Sequence, residues 1–209
     1  MSHTPRAPKR AYWLKTLHQW HWVSAALCLV GMLLFTITGF TLNHASSIEA
    51  KPRVTSKKLQ LNEAILRDLA AQPAEAKALP LPSSVRAWAD EHWGIDLVGR
   101  EGEWSRDEVY VSLPRPGGDA WLRIDRAFGD IEYEVTDRGW ISYLNDLHKG
   151  RHTGHVWRWF IDVFAGACLV FCITGLCILK LHAAGRDNTW PVVGAGLVIP
   201  LLLALIFIH

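Results

Sequence analysis

Residues 16–48 read TLHQWHWVSAALCLVGMLLFTITGFTLNHASSI, a run of 33 residues without a single Asp, Glu, Lys or Arg. Two further runs without these charges cover residues 163–179 and 188–209. An α-helix rises about 1.5 Å per residue, so about 20 apolar residues cross a hydrocarbon core of about 30 Å. The sequence therefore predicts three transmembrane helices in contact with the lipid bilayer, and it argues against a wholly soluble protein.

The overall composition argues against two other classes of protein. A formal net charge of +2, from 22 basic and 20 acidic residues, provides no broad positive field for binding a nucleic-acid backbone. All four cysteines fall in the apolar runs without a Cys-x-x-Cys pair, so we interpret them as small buried hydrophobic residues rather than as a disulfide framework. They are Cys28, Cys168, Cys172 and Cys177.

Basic residues set the predicted orientation of the spans. A basic segment ending at Lys15 precedes the first run, which has no small-residue cleavage signal, so we interpret it as a retained helix with a cytoplasmic N-terminus. Three spans then place His209 on the outer side of a bacterial inner membrane. The predicted segments are a cytoplasmic N-terminus (1–15), a first helix (16–44), a periplasmic domain (45–151), a second helix (152–182), a cytoplasmic loop (183–188) and a third helix (189–209).

The predicted periplasmic segment has helical sequence patterns in its first half and strand patterns in its second half. Residues 61–66 and 83–88 have helical patterns, and prolines separate them. Residues 108–113, 120–125 and 131–135 alternate apolar and polar side chains between turn signals, which is typical of strands. We expect a small inserted α+β domain with a three-stranded antiparallel meander.

Histidines cluster at the predicted ends of the first two spans. An imidazole at a membrane interface is commonly an amphipathic side chain reaching toward headgroups, and that explanation is favoured for any single one of them. As a set, however, His18 or His21 can face His182 inside, and His44 can face His148 outside. Two facing neutral imidazoles form a bis-histidine axial site for haem iron. We therefore predict one or two b-type haems bound by these five histidines, with His18, His44, His148 and His182 as the axial ligands.

An internal repeat accompanies the histidines. Residues 35–39 read FTITG near the end of the first helix, and residues 171–175 read FCITG near the end of the second. Oppositely oriented repeats generate symmetry-related sites. A simpler explanation is that Gly39 and Gly175 permit close helix contact while Thr38 and Thr174 bond to their own backbones. Both explanations can hold together.

A metal ion bound directly by histidines is the alternative to haem. On one continuous helix, His148, His152 and His155 would share a face and could ligate zinc or copper. We rank this below haem, and His152 and His155 below His148 as ligands, because structural zinc usually recruits cysteine or acidic partners. The distance between the two predicted haems is an objection to this prediction. A helix rises about 39 Å over the 26 residues from His18 to His44, so direct electron transfer between two haems at that distance would be slow.

Short motifs carry a resemblance to a known family. The stretch Leu17-His18-Gln19-Trp20, the Thr-Gly pairs of the repeat and Leu147-His148-Lys149-Gly150 resemble the PepSY-associated transmembrane family. Residues 123–131, RIDRAFGDI, resemble the strand, turn and strand that close a PepSY module. The likeness covers residues 13–181.

Larger members of that family include inner-membrane reductases that release iron from siderophores with haem held by helix histidines. The resemblance implies an electron path from the cytoplasmic side, or the quinol pool, to an outer acceptor. By motif position it selects His18 and His148, whereas His44 and His182 rest on the boundary argument. Three spans and one small module are fewer than the larger reductases have, so a homodimer or a partner subunit is expected to complete the protein.

Two hypotheses follow for the function. The first is an electron-transferring haem protein whose periplasmic acceptor is ferric-siderophore iron or a redox partner, as a ferric reductase or an electron-transfer subunit. The second is a non-enzymatic membrane-anchored module that binds or regulates a periplasmic partner or protease. Motifs for hydrolysis, nucleotide binding and nicotinamide binding are absent from the sequence.

Overall fold

The computed structural model describes residues 7–48 and 51–208, with side chains from residue 11 onward; His209 and its predicted outer position lie outside these residues. Helices and strands alternate along the chain between two long helices, and a third long helix follows. The elements are α1 (Ala7–Asn43), β1 (Arg53–Gln60), α2 (Glu63–Ala70), β2 (Ala76–Pro80), α3 (Ser83–Trp93), β3 (Glu101–Trp104), β4 (Glu108–Ser112), β5 (Gly118–Asp125), β6 (Asp130–Asp137), α4 (Trp140–Lys149), α5 (Gly154–His182) and α6 (Thr189–Phe207).

Three of these helices are long and apolar enough to cross a membrane. The spans are Ala11–Asn43, Gly154–His182 and Thr189–Phe207, with mean hydropathies of 2.2, 2.3 and 2.3. Their exposed surfaces consist of Leu, Val, Ile and Phe side chains, which is the composition that a hydrocarbon environment requires. The predicted multi-pass membrane protein is confirmed.

The chain divides into two compact units. The first unit comprises the chain up to Leu34 and the chain from Phe160 onward, and the second comprises Phe35–Trp159. In the first unit, α1 and α5 pack antiparallel, because His18 lies beside His182 while Gly31 lies beside Phe164. A Cβ at Gly31 would overlap the Phe164 ring, so glycine lets the two helices approach here without displacing that ring.

The second unit contains a six-stranded antiparallel sheet in the order β1-β6-β5-β4-β3-β2. The predicted meander is present as β4, β5 and β6, in which Val109 pairs with Ile124 and Ile124 with Ile131. The prediction of three strands is nevertheless wrong, because β1, β2 and β3 extend the sheet at both sides. All eight residues of β1 are exposed, so this edge strand has none of the alternation of burial that marks β4.

The core of this unit lies between one face of the sheet and helices α2 and α3. Alternate strand residues such as Val109, Val111, Leu122 and Ile124 are fully buried, and Leu69 and Val85 from the two helices pack with them. Burial of one such side chain stabilises the fold by about 1.5–3 kcal/mol. The predicted α+β domain, inserted between the first and second long helices, is confirmed.

A turn separates α4 from α5. α4 ends at Lys149, and Gly150 follows with φ 65°, in the left-handed conformation that commonly terminates a helix. His152 also has a positive φ of 58°, and α5 begins only at Gly154. The expectation that His148, His152 and His155 share one face of a continuous helix is therefore wrong, and with it the basis for a three-histidine zinc or copper site.

Candidate histidine sites

His18 and His182 lie side by side in the first unit. Their ring centroids are 5.9 Å apart and their planes are nearly perpendicular, at 86°. Each ring also contacts its own helix, since His18 Nδ1 lies 2.8 Å from the Leu14 carbonyl and His182 Nδ1 lies 2.9 Å from the Ile178 carbonyl. A carbonyl oxygen only accepts, so Nδ1 is the donor and the neutral ring keeps a lone pair on Nε2. Both rings are exposed, so a ligand can reach that nitrogen.

His21 lies one turn further along α1, in contact with three residues of α5 that we call the His21 cluster. Its ring stacks on Phe171 at a centroid distance of 4.8 Å and an angle of 13°. Nδ1 lies 3.0 Å from the Thr174 hydroxyl oxygen. Gly175 completes the cluster, because a Cβ there would lie 3.3 Å from His21 Cε1.

His148 occupies a matching environment in the second unit, which we call the His148 cluster. This ring comes from α4 and lies against the end of α1, with its centroid 4.9 Å from that of Phe35. Nδ1 lies 2.7 Å from the Thr38 hydroxyl oxygen. A Cβ at Gly39 would lie 3.5 Å from His148 Cε1. The two FxxTG segments of the sequence repeat thus contact one imidazole each, in the same way.

His44 has different partners from those expected for it. Its ring lies 4.5 Å from the ring of Phe40, and its Nδ1 lies 3.0 Å from the Phe40 carbonyl oxygen. The ring contacts of His148 are instead made nearer the middle of α1, at Phe35. The structure therefore brings His18 together with His182, but it gives His44 and His148 separate neighbours.

An apolar groove borders the histidines of the first unit. Its volume is about 400 Å³, which is within the range of small-molecule sites. Two indole rings and aliphatic carbons form most of its walls, so a flat apolar molecule would fit this surface better than a charged one. The groove is lined by Trp13, Thr16, Leu17, Trp20, Val170 and Thr174.

Comparison with known families adds to this geometry. The model of a family described as putative PepSY_TM-like matches residues 12–209. The chain belongs to this PepSY_TM-like family. The match confirms the resemblance inferred from the short motifs, and it extends past α5 to include α6. No curated protein and no solved structure matches the chain.

A buried carboxylate fixes the helix that carries His148 in this PepSY_TM-like protein. Asp146 is 2% exposed, and its Oδ2 accepts a hydrogen bond of 2.8 Å from the backbone N–H of Gly117 in the β4–β5 loop. Its Oδ1 accepts from Arg151 Nε at 2.8 Å and from Nη2 at 2.7 Å. Asp146 thus joins α4 to the sheet and to the turn that follows it, two residues before His148.

Cross-helix bonding by the two threonines is the part of the site that sequence reasoning missed. The simpler explanation of the repeat assigned Thr174 a bond to its own backbone, and its hydroxyl does lie 2.7 Å from the Val170 carbonyl. The same oxygen also contacts His21 across the helix pair. One signal for this was available, because each threonine occurs in the same FxxTG context and each segment lies on a helix opposite a histidine.

Proposed function

We propose that this PepSY_TM-like protein is a b-type haem protein that passes electrons across the membrane. The observation that carries the proposal is the His18–His182 pair, with ring centroids 5.9 Å apart. Two imidazoles with their nitrogens about 2.0–2.1 Å from one metal ion have centroids about 6 Å apart. The separation of the pair is compatible with two ligands to one iron, and it is also that of an edge-to-face contact between two rings.

The donor chemistry of the residues fits haem. In each of the five candidate histidines Nδ1 is engaged, by a backbone carbonyl in His18, His44 and His182 and by a threonine in the other two. Histidines that ligate metals usually donate the other ring N–H in this way, which orients the ring and raises its basicity. The described histidines thus have the outer hydrogen bonds of ligands.

The number of donors also favours haem over a metal ion bound by protein alone. Within residues 7–48 and 51–208, no group of three or more His, Cys, Asp or Glu side chains is placed to hold an ion. A structural zinc site needs about four protein ligands, whereas haem brings four nitrogens and takes only axial ligands from the protein. Paired imidazoles beside an apolar groove therefore suit a macrocycle.

The protein would supply binding and orientation for this cofactor. When bound, haem supplies reversible one-electron transfer. His18 and His182 would hold the iron in the first unit, with His21 beside them, and His148 would supply a ligand in the second unit, where His44 has separate neighbours. The indole rings of Trp13 and Trp20 would exclude water from the groove, and a drier surrounding alters the potential of an iron centre.

The direction of transfer follows from the distribution of charge. The basic N-terminal segment favours a cytoplasmic N-terminus and an inner membrane, which would place the sheet domain in the periplasm. Electrons would then pass outward to a periplasmic acceptor, such as ferric-siderophore iron or a redox protein. Electrons from a soluble reductant would need another protein, since the sequence has no nicotinamide-binding motif, and a homodimer or a partner subunit would complete the protein.

A visible spectrum tests the proposal. The full-length protein is expressed with haem supplied, purified in detergent and measured before and after addition of dithionite. We expect a Soret band, and α and β bands that sharpen on reduction. Single alanine variants of His18, His148 and His182 should lower the haem-to-protein ratio. His92→Ala is the matched control, because His92 also contacts the carbonyl four residues earlier but lies in α3 of the sheet domain.

Two results would contradict the proposal. One is a colourless wild-type protein that stays colourless after reconstitution with haem. The other is an unchanged haem ratio in all histidine variants, which would remove the ligand assignment. A colourless but folded protein would favour the second hypothesis, a membrane-anchored module that binds or regulates a partner.

A further inference from the structure

The His21 and His148 clusters determine which ring nitrogen carries the proton. In the His21 cluster the Thr174 hydroxyl lies 2.7 Å from the Val170 carbonyl and 3.0 Å from the Phe171 carbonyl. A hydroxyl has one proton, and carbonyl oxygens only accept, so that proton is used on the helix backbone. With that proton on the backbone, a lone pair of the threonine oxygen accepts from His21 protonated at Nδ1.

The His148 cluster has the same polarity. The Thr38 hydroxyl donates to the Phe35 carbonyl at 3.1 Å, and its oxygen lies 2.7 Å from His148 Nδ1. In this arrangement His148 donates from Nδ1, as His21 does. In both clusters the neutral ring keeps its lone pair on Nε2, the nitrogen that a metal or a proton donor would engage. Among the described residues, no protein group is hydrogen-bonded to either Nε2.

We propose that Thr38 and Thr174 are positioning residues that fix His148 and His21 in the Nδ1–H tautomer and so present an unprotonated Nε2 at each site. Phe171 stacks on His21 and Phe35 packs at a tilt of 45° on His148, and the adjacent glycine leaves space for the Cε1 edge of each ring. The FxxTG segment is therefore a histidine-orienting motif that occurs twice in this chain. Its use in binding iron rests on the proposed function, but the tautomer does not.

Nitrogen NMR of the haem-free protein tests the tautomer directly. Full-length protein with ¹⁵N-labelled histidine is prepared in detergent, and His21 and His148 are assigned with His→Gln variants. We expect both rings to show a protonated Nδ1 and an unprotonated Nε2. Thr174→Val should change the nitrogen shifts of His21 alone, and Thr38→Val those of His148 alone, because valine matches threonine in shape but lacks the hydroxyl.

Two controls separate positioning from general structural damage. Serine keeps the hydroxyl, so Thr174→Ser and Thr38→Ser should preserve the wild-type nitrogen shifts. Thr36→Val removes a hydroxyl two residues from Thr38, and it should leave both rings unchanged. The proposal is overturned if wild-type His21 and His148 are protonated at Nε2, or if the valine variants leave their nitrogen shifts unaltered.

Haem affinity provides a second readout that separates this inference from the proposed function. Loss of an outer hydrogen bond to a ligating histidine typically lowers metal affinity 10–100-fold. We expect a loss of about that size in Thr38→Val, because Thr38 bonds the proposed ligand His148, and its recovery in Thr38→Ser. If the tautomers respond but the wild-type protein binds no haem, the positioning role stands and the proposed function fails. If the wild-type protein binds haem but the tautomers do not respond, the proposed function stands and the positioning role fails.

Discussion

Replacement of Asp146 by asparagine would remove the charge from a carboxylate that joins three parts of the second unit. The carboxylate is 2% exposed and accepts three hydrogen bonds of 2.7–2.8 Å, one from the Gly117 backbone N–H and two from the Arg151 guanidinium. An asparagine side chain has a single acceptor oxygen and an NH₂ group that only donates. Whichever way the amide turns, it presents N–H to a donor on one side.

The two partners of the Asp146 carboxylate, Gly117 and Arg151, differ in the stability that is lost when each is left without an acceptor. The Gly117 N–H is buried, and leaving it without an acceptor costs about 1–3 kcal/mol. The Arg151 side chain is 51% exposed, so water compensates for much of what it loses, and we assign about 0–1 kcal/mol to the ion pair. Because the amide oxygen can serve only one side, the variant keeps the Gly117 bond and loses the ion pair, and we expect Asp146→Asn to lower the free energy of unfolding by up to about 1 kcal/mol. For a chain of this size that corresponds to a fall in Tm of up to about 4 °C.

Thermal unfolding of the full-length protein in detergent, followed by near-ultraviolet circular dichroism, measures this change. Asp90→Asn is the matched control, because Asp90 is an exposed carboxylate on α3 and its replacement should leave Tm unaltered. If Asp146→Asn unfolds at the same temperature as this control, the view that Asp146 anchors α4 is wrong. The variant should also change the NMR signals of His148, because α4 presents that ring to Thr38.

Three other substitutions test the sheet domain. The Arg126 guanidinium donates to five carbonyl oxygens at 2.8–3.1 Å, so Arg126→Lys should cost about 1–3 kcal/mol in chemical denaturation because an ammonium group cannot reproduce that planar fork. A Cβ at Gly118 would lie 2.0 Å from the Thr136 carbonyl oxygen, so Gly118→Ala should lose the cooperative unfolding transition of the domain; a normal transition would contradict this. The Lys58 hydrogen bond holds the pKa of Glu132 below its usual 4.5, so Glu132 stabilises the fold above that pH and its contribution is lost in acid. Denaturation of Glu132→Gln and wild type should therefore differ at pH 7 and converge as the pH falls below 4.5, and a difference that persists in acid would exclude this origin.

Physical constraints that act within a single segment explain which parts of the fold the sequence predicts. A membrane span must be continuously apolar, so the charge-free runs identified three helices without reference to tertiary contacts. β4 and β5 could also be predicted, because one face of each strand is buried and buried side chains therefore alternate with less buried ones along the sequence. β1 was missed because all of its side chains are exposed, and β3 was missed because four residues are too few for a periodic pattern.

The candidate sites show a similar division. Histidines at the ends of apolar helices are visible in a sequence, and one expected pair, His18 with His182, is adjacent in the structure. The prediction that three histidines share one helix face was wrong, because Gly150 ends α4 and His152 adopts a left-handed conformation. The spacing of the histidines in the sequence does not reveal this break. The orientation of Thr174 also escaped prediction, since a threonine that bonds to its own helix still has a lone pair for a neighbour.

Polar side chains in apolar helices are costly, and the arrangement of these histidines bears on why they are present. Interfacial anchoring requires only that a ring reach the headgroup region, and Trp22 or Trp159 can do so with no partner in a second helix. His21 and His148 instead have the same three neighbours in two separate units, with Nδ1 engaged by threonine in each. Anchoring gives no reason for the duplication, whereas the haem function proposed above would use one oriented nitrogen in each cluster.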